Sequence, residues 1–199
     1  MNRIKLILTI FFVFFLLMPQ SYVFASPVQD QLQLSIEKIL SVLRDPQYKG
    51  QENTDKRREA LRATIYERFS FEKMSQLSLG KHWADRNDQE KQEFVKLFSK
   101  LLEDTYVTKI EGYTNEKIIY TKELVKKSKA QVYTKIIAES VEIPIDYRMY
   151  QEKDGSWMVY DMVIEGVSLV ANYRSQFDQI LQNDPFTKLI EELKKKLAS

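Results

Sequence analysis

Apolar positions along the chain change period twice. Leu32, Ile36, Ile39, Leu40 and Leu43 recur at the three-and-four spacing of one helix face, and Asp45-Pro46 ends the run. After the polar stretch 47–53, Leu61, Ile65 and Phe69 form a second stripe among the charges of 56–68. A shorter element carries Phe71, Met74 and Leu77 and closes at Gly80. Asp88 then reads as an N-cap, with Glu90 and Glu93 at the positive end of the dipole of the helix it opens. That helix is the clearest in the chain. Phe94, Leu97, Phe98, Leu101, Leu102, Thr105, Tyr106 and Ile110 cover a broad face, and Gly112 stops it.

From Lys117 the period becomes two. Ile118 to Thr121 predicts a short strand, and 131–138 a second, with Val132, Thr134 and Ile136 on one face and Tyr133 and Ile137 on the other. A third strand sets Ile143, Ile145, Tyr147 and Met149 against Pro144, Asp146, Arg148 and Tyr150. Asp154-Gly155 is a hairpin signal leading into 157–164. There Trp157, Val159 and Val163 alternate with Met158, Tyr160, Met162 and Ile164, so this last strand is expected to be covered on both faces. After Gly166 the helical period returns. Ser168 is the expected N-cap of a helix with Leu169, Val170, Tyr173, Phe177, Ile180 and Leu181 inside, and Asp184-Pro185 opens a final helix carrying Phe186, Leu189, Ile190, Leu193 and Leu197. The expected class is α+β: a single domain with an antiparallel meander of about four strands, wrapped by helices from both ends of the chain.

The first 25 residues are expected to stand outside this fold. Arg3 and Lys5 precede an apolar run from Leu6 to Met18 that only Thr9 interrupts, Pro19-Gln20 breaks it, and Val23 and Ala25 occupy the positions a signal peptidase reads. At about 13 residues the run is short for a membrane span and fits a signal peptide cleaved after Ala25, leaving 26–199 as the domain. The chain has no Cys, which removes disulfides, thiol nucleophiles and a lipid-modified cysteine anchor together. Export without disulfides points toward a bacterial periplasm.

Charge and titratable groups narrow the chemistry further. The chain carries 30 Lys and Arg against 28 Asp and Glu, too even a balance for a nucleic-acid footprint. Arg3 and Lys5 supply the whole excess of +2, so the remainder is formally neutral. The neutrality is uneven: 122–135 holds five Lys and one Glu, whereas 136–165 holds two bases and seven acids. His82 is the single histidine and is expected to be exposed or to cap a helix; neither a His-based metal site nor a catalytic triad is expected. Asp161 and Glu165 interrupt apolar sequence, and Arg148 or Arg174 is the expected partner for a buried carboxylate. With five Gly in the chain there is neither a glycine-rich phosphate loop nor a nucleophile elbow. Periodicity alone leaves open whether the abundant apolar surface fills a core or lines a cavity.

The stretch from Trp157-Met158-Val159-Tyr160-Asp161 through Glu165-Gly166-Val167-Ser168-Leu169-Val170 resembles the hallmark of the MlaC (toluene-tolerance) family of periplasmic phospholipid-binding proteins. Asn172-Tyr173-Arg174-Ser175-Gln176-Phe177, the Phe71-to-Trp83 segment, the Phe94-to-Tyr106 helix and the Pro144-to-Tyr147 strand are similar in order and spacing. The resemblance implies a non-enzymatic carrier whose apolar pocket, between sheet and helices, holds phospholipid acyl chains. It would shuttle lipid between outer and inner membranes in support of outer-membrane lipid asymmetry. Implied partners are an inner-membrane lipid ABC transporter with its lipid-binding ring and an outer-membrane lipoprotein. The carrier would act as a monomer with lipid as cargo and no cofactor. Expected lining residues are Val167, Leu101, Ile136, Ile143, Ile145, Tyr147, Val159 and Val163, with Val167 at the strand-to-helix junction the sharpest choice. A small exported enzyme, an envelope interaction protein with a filled core, and a carrier of a hopanoid-type lipid are the alternatives.

Overall fold

The computed structural model describes residues 27–113, 116–138 and 141–198; the expected signal peptide and its expected cleavage point after Ala25 lie outside them. Helices α1 (Pro27–Arg44), α2 (Thr54–Tyr66), α3 (Phe71–Leu79) and α4 (Asp88–Glu111) precede the sheet. Strands β1 (Lys117–Lys126), β2 (Lys129–Ala138), β3 (Val141–Gln151), β4 (Trp157–Ile164) and β5 (Val167–Ser168) follow, then α5 (Leu169–Leu181) and α6 (Phe186–Leu197). Short 3-10 turns at Pro46–Tyr48, Gln51–Asn53 and Gly80–Trp83 join the early helices.

The strands pair antiparallel in chain order, a meander of five rather than four. The fifth is two residues long and carries no readable alternation. Ile164 pairs with Val167 across a two-residue turn in which Glu165 and Gly166 have φ of 50° and 83°. Positive φ at both central positions matches the twist of the flanking strands. It places Glu165 in an exposed turn, not in the buried strand its apolar surroundings suggested.

Side-chain caps open α3, α4 and α5. Asn87, not Asp88, is the N-cap of α4: its side chain accepts from the Glu90 N–H while the Glu90 carboxylate accepts from the Asn87 N–H. Ser168 caps α5 by accepting from the Ala171 N–H, as expected. At α6 the N-cap is Pro185, one residue beyond the expected Asp184, and no side chain caps the helix.

Two apolar clusters organise the interior. The helical one joins α3, α4, α5 and α6 through Phe71, Met74, Phe94, Phe98, Phe177 and Phe186 among others. Its rings pack edge-to-face, as in Phe98 against Tyr173 (centroids 5.0 Å apart, 77°) and Phe94 against Phe177 (5.5 Å, 83°). The second lies between α1 and one face of the sheet, where Val28, Leu32 and Ile36 meet Ala130, Val132, Met149, Trp157 and Val159. Phe69 packs against both. The loop 68–70 that carries it lies along β4: the Val159 N–H donates to the Arg68 carbonyl at 2.8 Å and the Ser70 N–H to the Val159 carbonyl at 2.9 Å.

Candidate functional site

The sheet face beneath α1, called the inner face below, follows from register. Side chains of directly opposed residues share a face, so Tyr120, Thr134, Ile145, Ile164 and Val167 form one row across all five strands. Ile118, Ile136 and Ile143 form the row beside it, toward one end of the sheet. Val132, Tyr147 and Met162 form the row on the other side, followed by Ala130, Met149 and Val159. The wall is almost wholly apolar. Its one small hydroxyl, on Thr134, donates to the Ile145 carbonyl at 2.7 Å.

Coverage fades along this wall. Val159, Val132 and Met149 are fully buried under α1, and Ile145 and Tyr147 are 8% and 7% exposed. Ile118, Tyr120, Ile136, Ile143, Met162 and Ile164 are half-buried, with Leu40 at their margin. At the far rim Val141 and Val167 stand 55% and 57% exposed. A contiguous apolar surface running from a packed end to an open end is a binding surface in form.

A bulge in β4 sets which residues belong to the wall. Arg148 pairs with Asp161 but the next residue, Met149, pairs with Val159, so Tyr160 is an extra residue. Trp157 and Val159 therefore share the inner face with Met162 and Ile164. The uniform alternation expected from the sequence put Val159 and Val163 together; the bulge separates them, and Val163, opposite Asp146, faces outward. Of the other expected lining residues, Val167, Ile136, Ile143, Ile145, Tyr147 and Val159 are brought together on the wall. Leu101 is not among them: it is buried in the helical cluster. Sequence reasoning missed Tyr120, Met162, Ile164 and Ile118 as wall residues, and the isoleucine in β1 at strand parity with Tyr120 was the available signal.

The junction that positions Val167 is held by Asp161. This buried carboxylate accepts from Arg148 Nη1 at 2.9 Å, from the Ser168 hydroxyl at 2.6 Å and from the Val170 N–H at 3.0 Å. It ties β3 to β4 and receives the N-terminus of α5, where a negative charge is favoured. Of the two expected partners the structure selects Arg148; the stem of Arg174 lies by Gly80, where a Cβ would come within 3.1 Å of its Cδ. Above the packed end of the wall, Arg68 fastens α1: its Nε donates to Ser35 Oγ and its Nη1 to Gln31 Oε1, both at 2.9 Å, while Gln31 also accepts from the Trp157 N–H.

Polar chemistry gathers elsewhere. His82 is neither exposed nor a cap; its Nε2 lies 2.8 Å from Asp178 Oδ1, which Lys81 also reaches at 2.9 Å. The hydrogen bond from His82, then those from Lys81 and Gln182, hold the Asp178 carboxyl far below the usual carboxylate range. Two clefts flank this cluster, of about 160 Å³ beside Arg86 and Phe186 and about 380 Å³ beside Gly80 and Arg174. Neither includes a residue of the sheet. No group of three or more His, Asp or Glu side chains gathers to hold a metal among the described residues. No helix among them is long and apolar enough to cross a membrane.

Fold and wall together define a one-domain α+β protein with a half-covered apolar sheet face opposed by helices. The chain belongs to the MlaC family: residues 33–195 match the family described as MlaC protein. It is similar to the intermembrane phospholipid transport system binding protein MlaC of Haemophilus influenzae, with 26% identity over 167 residues, 81% of this chain and 78% of that one. Its fold is shared with a phospholipid-binding protein from Ralstonia solanacearum, solved in complex with a phospholipid. The TM-score is 0.79 at 22% identity, and the match covers 87% of this chain and 98% of the other.

Proposed function

We propose that the protein is a periplasmic, monomeric carrier that binds phospholipid acyl chains against the inner face of its sheet and shuttles the lipid between outer and inner membranes. The observation that carries this reading is the apolar wall itself, buried at one end and ending in exposed Val141 and Val167 at the other. The names of the two relatives, one a transport-system binding protein and one a phospholipid-binding protein, support it. The sequence of the first 25 residues supports export with cleavage after Ala25.

Magnitudes show what such a carrier must do. Each methylene kept from water is worth about 0.8 kcal/mol, so exposing one chain of about 15 methylenes would cost about 12 kcal/mol. The wall must therefore replace the bilayer nearly completely for each chain it takes. Binding requires no covalent step, and the function assigned here is not enzymatic. Direction is set by relative affinities at the two membranes and by energy spent in a partner, since a passive surface supplies none. The partners on this reading are an inner-membrane lipid ABC transporter with its lipid-binding ring and an outer-membrane lipoprotein, and net retrieval of lipid would support outer-membrane asymmetry.

Extraction and mass spectrometry of the purified protein provide the test, with stoichiometric phospholipid as the expected result. Val167→Glu places a charge on the rim of the wall, where burial beneath an acyl chain costs several kcal/mol. Because Val167 is already exposed, the unfolding free energy should change by less than about 0.5 kcal/mol. Co-purified lipid should nevertheless be lost. Unchanged lipid content in a folded Val167→Glu protein would remove Val167 from the path.

A further inference from the structure

The lysines that unbalance the charge of 122–135 gather on one surface. On the outer face of the sheet, opposite the wall, β1 presents Lys117, Ile119, Lys122, Leu124 and Lys126, and β2 adds Lys129 and Lys135. Neither strand contributes a carboxylate to this face. The one acid of β1, Glu123, lies on the other side, where it accepts from the Gln29 N–H at the start of α1. Acids begin on β3, and both are engaged: Glu142 pairs with Lys135 at 2.7 Å, and Asp146 accepts from Gln131 at 3.1 Å. Lys117, Lys122, Lys126 and Lys129 have no carboxylate partner among the described residues. Lys126 stands directly opposite Lys129, a placement of like charges that costs stability. Between the lysines, Ile119 and Leu124 are 37% and 48% exposed.

Lysines on an edge strand can serve simply to repel a second strand. That accounts for those of β1 and not for Lys129 and Lys135, which stand on an interior strand. A protein partner is poorly matched as well, because protein contact surfaces favour Arg and aromatic side chains and are depleted in Lys. Flexible ammonium groups around short aliphatic side chains instead match an anionic headgroup layer, which rearranges to meet them. We infer that the outer face of β1 and β2 docks the protein directly on anionic phospholipid bilayers, its lysines among the phosphates and Ile119 and Leu124 at the headgroup boundary. The face runs from Lys126 and Lys129 at the hairpin tip to Lys117 and Lys135, at the end of the sheet where the wall is least covered. Docking therefore holds the open end of the wall beside the bilayer without a second protein. The inference goes beyond the carrier reading and is independent of what the wall binds.

The test is co-sedimentation of the purified protein with vesicles of dioleoyl phosphatidylglycerol and, in parallel, of dioleoyl phosphatidylcholine. The wild type should partition onto the anionic vesicles at low ionic strength and far less onto the zwitterionic ones, and binding should fall as salt is raised. Each lysine at a bilayer surface is worth about fivefold in partition, so Lys126→Gln combined with Lys129→Gln should lower it about 25-fold. The same double variant should melt at or above the wild-type temperature, because a like-charge contact is removed. Leu124→Ser should lower partition severalfold and leave its salt dependence unchanged. Lys56→Gln combined with Lys96→Gln removes the same charge from α2 and α4 and should leave partition nearly unchanged. Equal binding to both vesicles, binding indifferent to salt, undiminished binding of the Lys126 and Lys129 variant, or an equal loss in the Lys56 and Lys96 variant would overturn the inference. So would absence of vesicle binding, including the case in which an acidic protein is bound instead. None of these outcomes touches the carrier reading, which fails instead if the wild type purifies without phospholipid.

Discussion

The helical cluster and the sheet wall are both apolar, yet they are built by different rules. In the helical cluster five aromatic rings, Phe94, Phe98, Tyr173, Phe177 and Phe186, contact one another in ordered pairs, and all five are buried. Across the wall the residues are chiefly Ile, Val and Met, joined by one ring contact to Phe69, and exposure rises from 0% at Val159 to 57% at Val167. Rings locked edge-to-face fix one arrangement; branched aliphatic side chains and pliable methionines accept guests of varied outline. One region holds the fold, and the other is the surface proposed above to take the lipid. Substitutions should separate the two duties.

The largest stability loss is expected in the helical cluster. Phe98→Ala removes a ring from its centre and should cost about 4 kcal/mol in denaturant unfolding. The fraction that folds should carry its normal complement of lipid. Next comes the junction between the regions. Asp161→Ala leaves the Arg148 guanidinium, the Ser168 hydroxyl and the Val170 N–H without their acceptor, and should cost about 3 kcal/mol together with a loss of lipid, because the rim moves with α5. A protein that lost stability without losing lipid would show that rim and junction are independent.

A smaller effect belongs to the surface between α2 and α4. Burial pushes the Glu111 carboxyl up, but hydrogen bonds and charge from Arg58 and Arg57 (3.0 and 2.8 Å) override it and leave it below its ordinary 4.5. A depressed carboxylate contributes stability above its unfolded value and loses it as pH falls through the folded one. Glu111→Gln should therefore cost about 1 kcal/mol at neutral pH, limited by the solvent exposure of Arg58, and its unfolding curve should converge with the wild type as pH falls below the ordinary 4.5 and through the lowered value of the folded protein. Smallest of all for stability is Ile143→Ser on the open part of the wall, at about 1 kcal/mol or less. Its lipid content should still fall severalfold, the inverse of Phe98→Ala. If both substitutions moved stability and lipid in parallel, the division between the regions would fail.

Much of this was legible in the residues. The stripe from Phe94 to Ile110, the Gly80 and Gly112 stops, the alternation of β2 and β3 and the cap at Ser168 each reflect a local rule that the fold respects. The placement of Val167 followed from the apolar residue after Gly166. What could not be read is instructive in kind. The Tyr160 bulge was hidden because β4 is apolar on both faces, so a break in phase leaves the composition of each face unchanged. Leu101 has the hydrophobicity of a wall residue, and only the packing of α4 against α3, α5 and α6 assigns it elsewhere. The partnership of His82 with Asp178 spans the distance from the end of α3 to α5, and nothing near either residue announces it. Asn87 and Asp88 are both good capping residues, and the choice between them is decided by which one Glu90 can reach.

The extra residue at Tyr160 bears on how such a protein can change over time. Upstream of it β4 presents Trp157 and Val159 to α1; downstream it presents Met162 and Ile164 to the same side and reserves Asp161 for the helix behind. Deleting Tyr160 itself would restore a regular strand and keep Val159, Met162 and Ile164 on one face with Asp161 on the other, whereas deleting a single residue after Asp161 would turn the rest of the strand inside out. A change of one residue in the length of this strand is therefore confined to the bulge, and elsewhere changes must come in steps of two. Replacement of one side chain by another is free of that restriction, so descendants of this sequence can retune what the wall accepts far more readily than where the wall stands.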